Sequence, residues 1–108
     1  MIEVREYITE EGRSPFGRWF SGLNGPAAAK AATALERITQ GNFSNVKVLG
    51  AGVSEYKIDF GPGYRIYFGR DGDTLVILVA GGSKKGQSAD IEAARANWAD
   101  YKKRKRHT

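Results

Sequence analysis

A chain of 108 residues, 41% hydrophobic and 27% charged, is long enough to bury one core and too short to divide into two. It has no cysteine and a single histidine, His107, which excludes disulfides, thiolate metal sites and a multi-histidine centre, so no metal and no cofactor are expected. The formal charge of +5 comes from one place: YKKRKRHT, residues 101–108, carries five cations and no acid, while residues 1–100 balance 12 Lys and Arg against 12 Asp and Glu. A basic chain end of this kind is either a solvated terminus or a contact for nucleic-acid phosphates. No apolar run approaches the roughly 20 residues that span a bilayer, and MIEVREYITEEG lacks an apolar signal core. A cytoplasmic protein without a membrane partner is expected.

Met1 to Ile8 alternates Ile2 and Val4 with Glu3 and Arg5, which predicts a first strand. Ser14 is a candidate N-cap and Pro15 fits the first helical position; Phe16, Trp19, Phe20 and Leu23 then repeat at the spacing of one buried helical face. Asn24-Gly25 interrupts that helix. Pro26 starts a second, alanine-rich one that runs to Gln40, with Leu35 and Ile38 as its large apolar residues and Gly41 as its stop. The two form a helical hairpin. NFSNVKVLGAGVS reads as a loop or a short irregular strand carrying Lys47. Glu55 to Phe60 is a strand with Tyr56, Ile58 and Phe60 on one face and Glu55, Lys57 and Asp59 on the other. Gly61-Pro62-Gly63 turns the chain into a second strand, Tyr64 to Gly69, with Ile66 and Phe68 on one face and Arg65 and Tyr67 on the other. Asp71-Gly72 is a hairpin signal, and Leu75 to Ala80 is apolar on both faces, as a central covered strand must be. Ser88 is a candidate cap for a last helix, in which Ile91, Ala94, Trp98 and Tyr101 share a stripe and Asp90 and Glu92 suit the positive N-terminal end. The order β-α-α-β-β-β-α predicts one α+β domain over residues 1–108, whose basic end, 101–108, can be unstructured.

Lys57, Arg65 and Lys84 stand along the most sheet-like part of the chain. If Ile58, Phe60, Ile66 and Phe68 face the core, Lys57 and Arg65 become near cross-strand neighbours on the polar face, which disfavours folding unless Glu55 or Asp59 offsets them. One reading is a solvated face of mixed charge. The other is a basic sheet surface that receives phosphate, with Lys47 before the sheet and Lys84 after its central strand completing a cationic site. Tyr64 and Tyr67 are equally suited to stacking on bases and to cross-strand packing. GPGYRIYFG and GGSKKG lack the GKS or GKT of a nucleotide-phosphate loop, and His107 provides no Ser-His-Asp set.

The run SEYKIDFGPGYRIYFG and the ending GGSKKGQSADIEAARANWADYKKR, together with SPFGRWFSGL and GNFSNVKVLG, resemble small toxins of the RelE/ParE superfamily, most closely the phage-associated addiction module killer group. The resemblance covers nearly the whole chain. It implies a microbial-ribonuclease-like fold, with an N-terminal helical hairpin and a C-terminal helix packed on a curved, mostly antiparallel sheet. It implies a cognate antitoxin, commonly a helix-turn-helix protein through which operator DNA is bound, and a ribosome and mRNA as targets. The implied activity is a metal-independent, ribosome-dependent mRNA endonuclease that inhibits translation. Arg65 would stabilise transition-state charge, Lys57 and Lys47 would hold phosphate or act as base, and Lys84 would stabilise charge or protonate the leaving oxygen. Tyr67, Lys85, Lys102, Lys103 and Arg104 would contact RNA or ribosome. A lysine base must shed its proton near neutral pH from an ordinary value of about 10.4, and clustered cations favour that. Alternatives within the superfamily fold are a ParE-type DNA gyrase inhibitor and a non-enzymatic nucleic-acid-binding protein.

Overall fold

The computed structural model describes residues 1–106, so His107 lies outside the described residues. Five strands form one sheet in the order β1-β5-β4-β3-β2: β1 Glu3–Glu6, β2 Val46–Gly50, β3 Val53–Ile58, β4 Tyr64–Asp71 and β5 Leu75–Ser83. Neighbours pair antiparallel except β1, which lies parallel to β5 with Glu3 opposite Leu75. Three helices complete the fold: α1 Pro15–Ser21, α2 Gly25–Thr39 and α3 Gln87–Arg106. The class is α+β with a mixed, mostly antiparallel sheet, and the Cα radius of gyration of 13.0 Å is that of one compact unit. No described helix is long and apolar enough to cross a membrane.

Local chemistry sets the helix starts. The Ser14 hydroxyl accepts from the Gly17 N–H at 2.9 Å with Pro15 in the first turn, and Asn24 Oδ1 accepts from the Ala27 N–H at 2.9 Å. α1 ends at Ser21, earlier than its apolar stripe, and Leu23 packs on the core from the connecting turn. Ser88 does not cap α3: a 3-10 turn over Lys84–Gly86 leads directly into a helix that begins at Gln87. The basic end is not unstructured as far as it is described, because α3 continues through Arg106.

Of the two readings of the segment before the sheet, the short irregular strand holds: edge strand β2 is joined to β3 through Ala51-Gly52, whose φ values of 55° and 82° match a tight hairpin turn. Both faces of the sheet are covered. α1 and α2 pack Phe16, Ala31, Ala34 and Ile38 against Tyr56, Ile58, Ile66, Phe68, Val76 and Leu78. On the opposite face α3 packs Ala94 and Trp98 against Tyr7, Val53, Tyr67, Ile77 and Val79. Gly69 permits that second layer, since a Cβ there would fall inside the Trp98 indole. β5 lies between β1 and β4 with helices over both faces, as its two-sided apolar pattern predicts.

Candidate functional site

Pleating and register build two rows of side chains on the α3 face. Lys47, Glu55, Tyr67 and Ala80 are successive cross-strand partners from β2 to β5; Lys57, Arg65 and Gly82 form the next row from β3 to β5. Glu55 and Arg65 sit diagonally across these rows, with Glu55 Oε2 3.1 Å from Arg65 Nε and their side chains only 6% and 8% exposed. This corrects the solvated mixed-charge face in part: Lys47, Lys57 and Asp59 are exposed, while Glu55 offsets Arg65 as a buried pair. The contact is an ion pair without hydrogen-bond alignment. Arg65 Nε and Nη1, Glu55 Oε2 and the Tyr67 hydroxyl make no hydrogen bond among the described residues. Buried polar groups normally have partners, so three adjacent residues with open hydrogen-bonding capacity mark this cluster as special.

The N-terminal turn of α3 forms the roof. The Asp90 carboxylate rests directly on Gly82, where any Cβ would collide with it, and lies 3.3 Å from the Cβ position of Gly86. Burial pushes the Asp90 carboxyl above its ordinary value. The Tyr67 hydroxyl is pushed up to about 12, first by burial and then by the charges of Glu55 and Asp90, against the opposing effect of Arg65. The Lys84 N–H donates to the Gly63 carbonyl at 3.0 Å. A Cβ at Gly63 would stand 3.8 Å from Lys84 Cβ and 4.0 Å from Arg65 Nη1, so the guanidinium extends toward the Lys84 turn. Beside Glu55 a groove of 310 Å³ opens between Lys47, Lys57, Asn45 and Asp59.

The fold therefore brings Lys57, Arg65 and Lys84 together, with Lys47 on the far wall of the groove and Lys85 exposed in the 3-10 turn. Tyr67 is not a stacking surface: its relative exposure is 0% beneath α3, because its strand face is covered rather than open. Lys102, Lys103 and Arg104 are not part of this cluster. They lie at the opposite end of α3, about 20 Å along a helix that rises 1.5 Å per residue. There Arg104 bonds Asp100 at 2.9 Å and the Ile8 carbonyl, and Lys102 stands 5.8 Å above the Trp98 ring. Tyr101 donates to Asp71 at 2.7 Å at the same end. Glu55 and Asp90 belong to the site although their sequence positions read as a solvated counter-charge and a helix-dipole acid. The one local signal was Gly81-Gly82 at the end of an otherwise bulky strand, where an incoming side chain needs space. Among the described residues no group of three or more His, Cys, Asp or Glu is placed to hold a metal ion.

No family model matches the chain. An uncharacterized protein of Haemophilus influenzae (strain ATCC 51907 / DSM 11121 / KW20 / Rd) is 41% identical over 95 residues, covering 87% of this chain and 90% of its own length.

Proposed function

The chain belongs to one family with that Haemophilus influenzae protein, and we propose that its role is that of a RelE-like toxin, a ribosome-dependent mRNA endonuclease held inactive by a cognate antitoxin. The observation that carries this is the Arg65 guanidinium: buried, tethered by Glu55, left with two unsatisfied nitrogens, and flanked by Lys57 and Lys84. A preorganised donor of this kind suits a phosphorane, where negative charge grows during reaction. The element order and the helix pair packed on a mostly antiparallel sheet support the RelE-like, microbial-ribonuclease-like assignment.

In the proposed reaction Lys57 removes the proton of an RNA 2′-hydroxyl. The 2′-oxygen attacks the adjacent phosphorus, Arg65 stabilises the equatorial oxygens, and the bond to the 5′-oxygen breaks as Lys84 supplies its proton. The products are a 2′,3′-cyclic phosphate and a 5′-hydroxyl. Lys47 and Lys85 hold neighbouring phosphates in this scheme. The setting is the cytoplasm, on the translating ribosome. The antitoxin, a helix-turn-helix protein, covers the basic groove and carries the complex to operator DNA.

The test is to add the purified protein to a translating extract and map new mRNA 5′ ends by primer extension, with a ribosome-free control. Cuts that require ribosomes and fall at least about 100-fold in Lys57→Ala and Lys84→Ala, the scale of a lost acid or base, are the expected result. Intact mRNA from a protein that still arrests growth would overturn the reading in favour of gyrase or another target.

A further inference from the structure

A second cleft opens on the other side of the sheet. Its volume is 210 Å³, and Lys30, Thr33 and Arg37 of α2 face Asn45, Lys57 and Asp59 across it. Lys30 and Arg37 stand seven positions apart, two turns along one helical face. Lys30 Nζ is held 5.5 Å above the Phe60 ring, which fixes its charge at the cleft mouth. Lys30, Arg37 and Lys57 form no ion pair among the described residues, in contrast to Arg5, Arg65, Arg104 and Lys105. Lys30 and Arg37 thus bring two cations without an ion-pair partner to a small polar recess that Lys57 and Asp59 also line.

This cleft meets the groove beside Glu55 at shared walls, since Asn45, Lys57 and Asp59 line both. The cause is the length of β2. It begins at Val46, opposite Tyr56, so β3 runs past it with only the Lys57 N–H bonded to the Asn45 carbonyl at 3.2 Å. Beyond that bond no strand covers the outer edge of β3 among the described residues, and the two faces of the sheet communicate around it.

We propose that this cleft is a second phosphate site for the same nucleic-acid strand: a single-stranded RNA lying in the groove of Lys47, Glu55 and Lys57 bends around the open end of β3 and seats a flanking backbone phosphate between Lys30 and Arg37. The inference rests on the nucleic-acid reading above and adds a direction to it, because it fixes the path by which the strand leaves the reacting phosphate. Thr33 and Asn45 supply neutral hydrogen-bonding groups beside these two cations.

The test uses a single-stranded RNA of 2′-O-methyl nucleotides, in which the blocked 2′-oxygen prevents cleavage. Amide and side-chain chemical shifts of the full chain are mapped during titration, and binding is measured against salt for wild type, Lys30→Ala/Arg37→Ala and the control Arg13→Ala/Arg18→Ala. Lys30 and Arg37 are exposed and alanine favours helix, so the double variant keeps its circular dichroism and melting temperature. The expected result is perturbation of Thr33, Arg37 and Asn45 together with Lys57 and Arg65. The salt slope is expected to become shallower by about 0.7 for each phosphate that is no longer neutralised, in the α2 variant alone. Perturbation confined to the α3 face, with an unchanged slope, overturns the second site and leaves the proposed function standing. Perturbation confined to the α2 cleft overturns the continuous path, because the strand then does not pass through the groove beside Glu55. No perturbation by RNA on either face overturns the second site and leaves the proposed function to the ribosome-dependent cleavage test.

Discussion

Burying Glu55 beside Arg65 removes two charges from water, and their attraction at 3.1 Å does not by itself compensate for the lost hydration. Glu55→Ala leaves a buried guanidinium without its counter-charge, and urea unfolding is expected to show a loss of about 3–5 kcal/mol. Replacing both residues, Glu55→Leu with Arg65→Met, is expected to be far less costly, neutral or stabilising, because well-packed apolar groups need no compensation. A stable double variant without cleavage activity would assign the pair to chemistry; a double variant as unstable as Glu55→Ala would refute that account of its energetics. Tyr67 offers a companion measurement. Its buried hydroxyl has no partner among the described residues, so Tyr67→Phe is expected to raise stability by about 1 kcal/mol in the same assay. A fall of similar size would mean that the hydroxyl is bonded in solution.

The elements were legible wherever a local rule acts alone. Ser14-Pro15 and Pro26 marked two helix starts, the apolar run at Leu75 marked an interior strand, and Gly61-Pro62-Gly63 marked a turn. β2 was not legible as a firm strand, because the turn that creates it puts Ala51 in a left-handed conformation in which alanine is uncommon. The alternation on β3 and β4 correctly separated the two faces but could not reveal what covers each one. That depends on α3, whose stripe of Ile91, Ala94 and Trp98 names no target within its own sequence. Hence Lys57, Arg65 and Lys84 could be grouped from sequence, whereas Glu55 and Asp90 emerged only once the helix had a place. The same docking explains Gly69. Gly69→Ala drives a methyl into the Trp98 ring, and a loss of about 1–3 kcal/mol is expected; the same substitution made in a Trp98→Leu background is expected to recover most of that increment. If Trp98→Leu gives no recovery, α3 does not seat on Gly69 as described.

At the scale of the molecule, α3 is fastened at both ends by different chemistry. Its beginning covers the buried charge cluster; its far end is tied to the rest of the fold by exposed and half-buried carboxylates. Lys105 and then Tyr101 hold the Asp71 carboxyl below its ordinary value of 3.8, and Tyr7 with Arg104 does the same for Asp100. Folding favours the charged form of both groups. Their contribution is therefore complete above the unfolded value and is lost as pH falls through the lower folded-state value. Asp71→Asn is expected to lower the melting temperature at neutral pH, and the gap from wild type is expected to close as the solution is taken below about pH 3.8. A gap that stays constant with pH would assign the loss to packing rather than to the charge.

The parallel seating of β1 on β5 has a meaning in time as well as in space. Glu3 finds Leu75, and Glu6 finds Leu78, across most of the chain. The first strand to be synthesised is therefore among the last to be placed, and it waits unpaired until the segment that receives it has been made. Closing so long a loop is the slow kind of folding event. A nascent or shortened chain that stops before Leu75 has no complete sheet and no α3 to roof Arg65. It presents the bare edges of a partial sheet, the surfaces on which other strands most readily add. In this molecule the charged centre is complete only once β5 and the first turn of α3 have been made.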